Sequence, residues 1–135
     1  MSAAVVDASV AIKWVVDEPG SRQAAALLER PLLAPDLIYA ECCNVLWRKA
    51  RRFEITTDFA QRAAEELMRS DLILVRLEDL ALNALHLALR LDHPIYDCFY
   101  LALALDRGVP LATADRRLMS KVSSAYPEIE IELIA

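Results

Sequence analysis

Short apolar runs alternate with helical segments along the whole chain, and this alternation limits the fold more than any other feature. Residues 4–6 read as a first strand that ends at Asp7, followed by helical patterning over 8–16 that Asp17-Glu18-Pro19-Gly20 closes. A second helix spans about 21–30, and Pro31 and Pro35 bracket a short strand, Leu32-Leu33-Ala34. Asp36 stands where an N-cap is expected for a helix to about Arg52. Thr56-Thr57-Asp58 starts another helix to about Ser70, 72–77 read as a strand, and Glu78–Leu91 as a helix. Pro94 begins a helix to Arg107 that Gly108 stops; a strand over 109–112, a helix over 115–124 and a strand over 129–134 complete the chain. Strands separated by helices require crossovers, and crossovers give a parallel sheet covered on both faces. The expected fold is therefore α/β: a three-layer α/β/α sandwich around a central, mostly parallel five-stranded sheet, with residues 1–135 as one domain.

The 135 residues suit one core. Hydrophobic residues make up 56%, above the ~45–50% of ordinary soluble domains, so some apolar surface is expected to face a partner. No apolar run approaches the ~20 residues of a membrane span. Met1-Ser2-Ala3-Ala4 lacks the basic start and long apolar stretch of a signal peptide, so the expectation is a cytoplasmic protein with no membrane contact. Cys42, Cys43 and Cys98 are odd in number and have no C-x-x-C spacing, which points to small buried hydrophobes rather than disulfides or zinc. His86 and His93 are too few and too isolated for a histidine-based metal site. The net charge of −5 excludes a general nucleic-acid coater and leaves only local grip on a polyanion.

In open parallel sheets the site lies beyond the carboxyl ends of the strands. Four acids map to that edge. Asp7 follows the first strand directly, and Asp115 comes just after the strand at 109–112. Asp97 lies in the first turn of a helix that is apolar nearly all round, hence central. Glu41 is four residues from both Leu37 and Val45 and is expected on their inward stripe, which Asn44 and Arg48 continue. Each acid has a plain structural alternative, since Asp at a strand–helix junction is commonly an N-cap stabilising by ~1 kcal/mol. The joint placement says more. Two carboxylates ~4 Å apart repel by about 4 kcal/mol at an effective dielectric near 20, and no neighbouring lysine or arginine neutralises all four. A hard divalent cation does, and an all-carboxylate site selects Mg²⁺ or Mn²⁺ over zinc. Such a metal suits phosphoryl chemistry by activated water. Ser9 has no histidine base in sequence and reads as a cap or supporting ligand. Thr113 is placed to orient Asp115 or a phosphate, or to cap the last helix.

These residues resemble the motifs of PIN domains: Val5-Val6-Asp7-Ala8-Ser9; Ala40-Glu41 with Asn44; Tyr96-Asp97 with Tyr100-Leu101-Ala102-Leu103-Ala104; and Leu111-Ala112-Thr113-Ala114-Asp115. The four occur in the right order over about residues 4–125, and the compact length is similar to that of VapC toxins. The resemblance implies a PIN-like sandwich and a metal-dependent endoribonuclease (a hydrolase) that is the toxin of a toxin–antitoxin pair. It also implies a homodimer and a cognate VapB-like antitoxin. It assigns catalysis and metal binding to Asp7, Glu41, Asp97 and Asp115, with Ser9, Asn44 and Thr113 in support. Arg48 and Arg116, from the basic groups Arg48-Lys49-Arg51-Arg52 and Arg116-Arg117-Lys121, are candidates for RNA phosphates. Trp14 and Trp47 are expected either in the core or at a partner surface.

Other readings fit less well. A haloacid-dehalogenase-type phosphatase needs an Asp where Ser9 stands. A response-regulator receiver needs an acid after a central strand, where Val75-Arg76-Leu77 offers none. A PIN domain that binds RNA or a partner without cutting, or a solitary PIN nuclease with no antitoxin, remains as the alternative.

Overall fold

A computed structural model describes residues 2–135. The strands are β1 (Ala4–Val6), β2 (Leu32–Pro35), β3 (Leu72–Val75), β4 (Leu111–Thr113) and β5 (Ile131–Leu133). They form one sheet in the order β3-β2-β1-β4-β5, and all four pairings are parallel, so the expected mostly parallel sheet is wholly parallel among the described residues. The helices are α1 (Ala8–Ala11), α2 (Ser21–Ala26), α3 (Leu37–Arg51), α4 (Thr57–Met68), α5 (Ala81–Leu91), α6 (Ile95–Arg107) and α7 (Arg116–Ala125). One group, α1 to α4, packs together, as does α5 to α7, and the sheet is the layer between them.

The chain lays down β1, β2 and β3 outward in one direction, then returns to place β4 on the other side of β1. That reversal makes the carboxyl ends of β1 and β4 the topological switch point, where open α/β sheets bind their ligands. The central strands are fully buried, as parallel strands covered on both faces must be: Ala4, Val5, Val6, Leu111 and Ala112 have no exposed surface. Helix α6 crosses β1, β2 and β4 and buries Cys98 and Tyr100 to Ala104 against them. Its apolar girdle explains its central position. Gly108, at φ 63°, ends it in the left-handed conformation that glycine adopts without strain.

Several element ends differ from expectation. The helix expected over 8–16 is α1 followed by a 3-10 turn at Ile12–Trp14, and that over 21–30 is α2 with a 3-10 turn at Leu27–Glu29. The segment 72–77 leaves the sheet after Val75, and a 3-10 turn at Leu77–Asp79 precedes α5, so the helix expected from Glu78 begins at Ala81. Strand β4 is shifted to Leu111–Thr113, and β5 is shorter than 129–134. Asp36 precedes α3 but makes no side-chain cap bond. Cys42 and Cys98 are buried as expected, whereas Cys43 is exposed. Trp14 packs against the main core and donates from Nε1 to the Ala24 carbonyl at 2.8 Å. Trp47 is 55% exposed, with the Arg51 guanidinium 5.3 Å from its ring centre. No helix among the described residues is long and apolar enough to cross a membrane.

Candidate active site

Asp7 is the best-held acid of the carboxyl edge. It ends β1 and caps α1, where Val10 N–H donates to Oδ1 at 3.3 Å. Ser9 Oγ donates to the same oxygen at 2.5 Å, and Thr113 Oγ1, from the end of β4, donates to Oδ2 at 2.5 Å. The cap reading of Asp7 is thus correct, and the cap is only part of its surroundings. Asp7 is 6% exposed and Thr113 is wholly buried. Burial pushes the Asp7 carboxyl up to about 6; the three hydrogen bonds oppose this rise and the charge of Asp97 adds to it.

Thr113 joins the fourth acid to the first. Its hydroxyl oxygen accepts the Asp115 backbone N–H at 3.1 Å while its proton goes to Asp7. Ser9 Oγ accepts Ala114 N–H at 2.9 Å, so the two hydroxyls fasten the β4–α7 turn onto Asp7. Asp115 itself N-caps α7, with Oδ1 accepting from Arg117 and Leu118 N–H at 3.0 and 3.2 Å. A carboxylate oxygen has two lone pairs, so capping leaves Asp115 with acceptor capacity.

Glu41 projects from α3 and accepts the phenolic proton of Tyr100, from α6, at 2.5 Å. Half-burial raises its carboxyl above the usual range, the tyrosine bond works against that, and Asp97 reinforces it. The buried stripe of α3 is Ile38, Cys42 and Leu46, one residue on from the expected Leu37–Glu41–Val45 line. Glu41 therefore lies at the rim of the packed face, which is why its carboxylate reaches the edge. Asp97 is partly exposed in the first turn of α6, and its Oδ2 lies 2.7 Å from His93 Nε2. Histidine was excluded from the sequence reading of this edge, yet His93 touches one of its acids. The usable signal is the four-residue spacing of His93 and Asp97, hidden because Pro94 separates them from a common helix pattern. Tyr100 was visible only as part of a motif.

Asp97 acts electrostatically on both Asp7 and Glu41, so three of the four acids share one field, and Asp115 is tied in through Thr113. Among the described residues no lysine or arginine forms an ion pair with any of the four. No group of three acids, histidines or cysteines among the described residues is placed to hold a metal ion as the side chains stand. The donor set is all oxygen, its deepest member is destabilised as an anion, and no protein cation offsets it; this chemistry fits a hard divalent ion. Asn44 and Arg48 are exposed on α3 and make no side-chain hydrogen bond to the acids among the described residues. Arg116 is exposed at the first position of α7, on a groove beside the edge.

The PIN domain family model matches residues 4–124. The chain belongs to the PIN domain family. This PIN domain is 36% identical over 121 residues to Ribonuclease VapC3 of Pyrobaculum aerophilum, covering 87% of this chain and 92% of that protein. Two solved structures share its fold. VapC20 of Mycobacterium tuberculosis, described as a sarcin-ricin loop cleaving toxin, superposes with a TM-score of 0.67 at 16% identity over 87% of this chain and 93% of that one. VapBC2 of Rickettsia felis, solved with a DNA fragment of its promoter, gives 0.70 at 10% identity over 98% and 99% of the two chains.

Proposed function

We propose that this PIN domain is a metal-dependent endoribonuclease and the toxin of a toxin–antitoxin pair. The observation that carries the reading is Asp7: a buried carboxyl at the sheet's switch point, raised to about 6, fixed by two hydroxyls and lacking any cationic partner among the described residues. A buried anion without counter-charge is costly and is kept where a cation will meet it. The kinship to a curated ribonuclease over most of the chain supports the substrate class.

Asp7, Glu41, Asp97 and Asp115 would hold Mg²⁺ or Mn²⁺, which lowers the pKa of a bound water and stabilises charge on the phosphate. The protein's own work is positional. Ser9 and Thr113 fix both Asp7 oxygens, Tyr100 fixes Glu41, and His93 orients Asp97. Asn44 supports the Glu41 side of the site, and Arg48 and Arg116 meet flanking phosphates. The chain acts in the cytoplasm as a homodimer neutralised by a cognate VapB-like antitoxin. Exposed Trp47, Phe53, Leu82 and Leu89 supply the apolar surface that protein partners require.

The test is total cellular RNA incubated with partner-free protein in Mg²⁺, Mn²⁺ or EDTA, beside Asp7→Asn and Asp97→Asn. Discrete metal-dependent cuts lost in both variants are expected. Cleavage that survives both substitutions would place the site elsewhere, and metal binding by folded protein with no cleavage would favour a binding domain.

A further inference from the structure

A basic trough runs alongside the acidic edge. It is a wide-open depression of about 660 Å³ between the C-terminal end of α5 and the exposed side of α7, where Arg90, Arg116, Arg117, Lys121, Ser120 and Ser124 stand beside Leu91 and Ala125. No acid lines it. In a chain with 20 acids and 15 bases, four cations on an acid-free wall need a cause. None of the four forms an ion pair among the described residues, as is also true of Arg22, Arg48, Arg51 and Arg52, whereas Lys13, Arg30, Lys49, Arg62, Arg69, Arg76 and Arg107 are paired.

Helix electrostatics explains only part of it. Arg90 is at the C-terminal end of α5, where a cation is favoured. Arg116 and Arg117 occupy the first turn of α7, where a cation is disfavoured by the same dipole. Two of the cations are also held in place. The Arg90 guanidinium lies 5.2 Å from the centre of the Tyr126 ring, and Lys121 Nζ donates to the Asp92 carbonyl at 2.9 Å. Held cations lose less freedom on binding than free ones. Both walls end at the acids: α7 starts from Asp115, and the turn after α5 leads through His93 to Asp97.

We propose that this trough is a track for the RNA backbone, in which Arg90, Arg116, Arg117 and Lys121 bind successive phosphates on one side of the scissile bond and Ser120 and Ser124 add hydroxyl contacts. The proposal rests on the nuclease reading for its choice of polyanion, and it is tested without cleavage. Binding of a fluorescein-labelled oligouridylate of about 20 nucleotides is followed by anisotropy in EDTA across a KCl series. The full chain is compared with Arg90→Gln/Arg117→Gln and with Arg62→Gln/Arg69→Gln, which removes the same charge from the exposed, acid-paired face of α4. The groove variant should bind about tenfold more weakly at low salt, with the slope of log K against log[KCl] reduced by about 1.4, near 0.7 per lost single-strand contact. The α4 variant should follow wild type. Arg117→Glu alone, at an exposed side chain with no ion-pair partner among the described residues, should reproduce the loss in a protein that melts like wild type. Equal effects of the two double variants, or none in the groove variant, overturn the track, including the case in which the trough serves an acidic peptide instead. A wild-type protein that binds through the groove yet cuts no RNA with metal leaves the track standing and removes the nuclease reading.

Discussion

Replacing Asp7 by asparagine should strengthen the fold while removing the activity. The Asp7 carboxyl sits at about 6 in the folded protein, against 3.8 for an unperturbed aspartate. Each unit of displacement is worth about 1.4 kcal/mol, so ionised Asp7 costs the fold about 3 kcal/mol once the pH is above both values. The sign follows from the direction. Because the folded value is raised, the unfolded chain gives up this proton first; stability is unaffected below about pH 4, falls as pH rises from there to about 6, and stays reduced above. Asparagine is neutral and nearly isosteric, and the Ser9 and Thr113 hydroxyls can turn to meet its amide. In EDTA, urea denaturation at about pH 8 should therefore show Asp7→Asn more stable than wild type by about 2–3 kcal/mol, with the difference closing near pH 4. Titrating groups that do not feel Asp7 are common to both proteins and cancel in the difference, and the repulsion from Asp97 is already part of the raised Asp7 value. Metal should reverse the order: at a thousand times its dissociation constant an ion bound only by the folded wild type adds about 4.1 kcal/mol. If Asp7→Asn is less stable at every pH, or its advantage does not vary with pH, the carboxyl is not the strained group described here.

Three further substitutions test the supports of the site and its core. Thr113→Val keeps the shape but breaks the bond to Asp7 and orphans the Asp115 N–H; a loss of about 2 kcal/mol in chemical denaturation and a 10- to 100-fold drop in cleavage are expected. Tyr100→Phe removes the one O–H held by Glu41 and should cost about 1 kcal/mol, with a higher metal concentration needed for half-maximal cleavage in a metal titration. Leu101→Ala, in the wholly buried face of α6, should destabilise by about 2–5 kcal/mol in calorimetry or denaturation while leaving the metal dependence of the residual folded protein as in wild type.

The order of elements and the parallel sheet were legible because β1, β2 and β4 are short apolar runs bounded by turn residues, and burial on both faces removes the polar alternation that would have confused them. Their ends were not. Whether 12–14 continue α1 or tighten into a 3-10 turn depends on how Trp14 reaches the Ala24 carbonyl, which is a tertiary contact. At the site, Asp7 and Asp115 were visible from their positions after strands. Glu41 was found for an imperfect reason, since stripe spacing does not separate a buried row from the row beside it, and Ile38–Cys42–Leu46 is the row that packs. The hydroxyl pair joining Asp7 to the β4–α7 turn was beyond the sequence, because Ser9 and Thr113 are 104 residues apart and meet only through the pairing of β1 with β4. His93 was missed because its ring is brought to Asp97 by the turn before α6 rather than by a shared helix.

The separation of charge at this edge follows from what a polyanion requires. An RNA phosphate approaching three acids in one field is repelled, and a lysine or arginine paired directly with them would remove the repulsion together with the anionic donors a metal needs. Among the described residues no arginine or lysine forms an ion pair with the four acids, and the trough cations Arg90, Arg116, Arg117 and Lys121 follow on from the acidic edge along α7 and the end of α5. Cations that form no ion pair with the carboxylates can hold the flanking backbone while leaving the carboxylate oxygens free as donors. The Asp7 anion carries its cost of about 3 kcal/mol as long as nothing neutralises it, and a cation bound there, as proposed above, would relieve that cost. The burial that weakens the fold would then add to the binding free energy of the proposed ion.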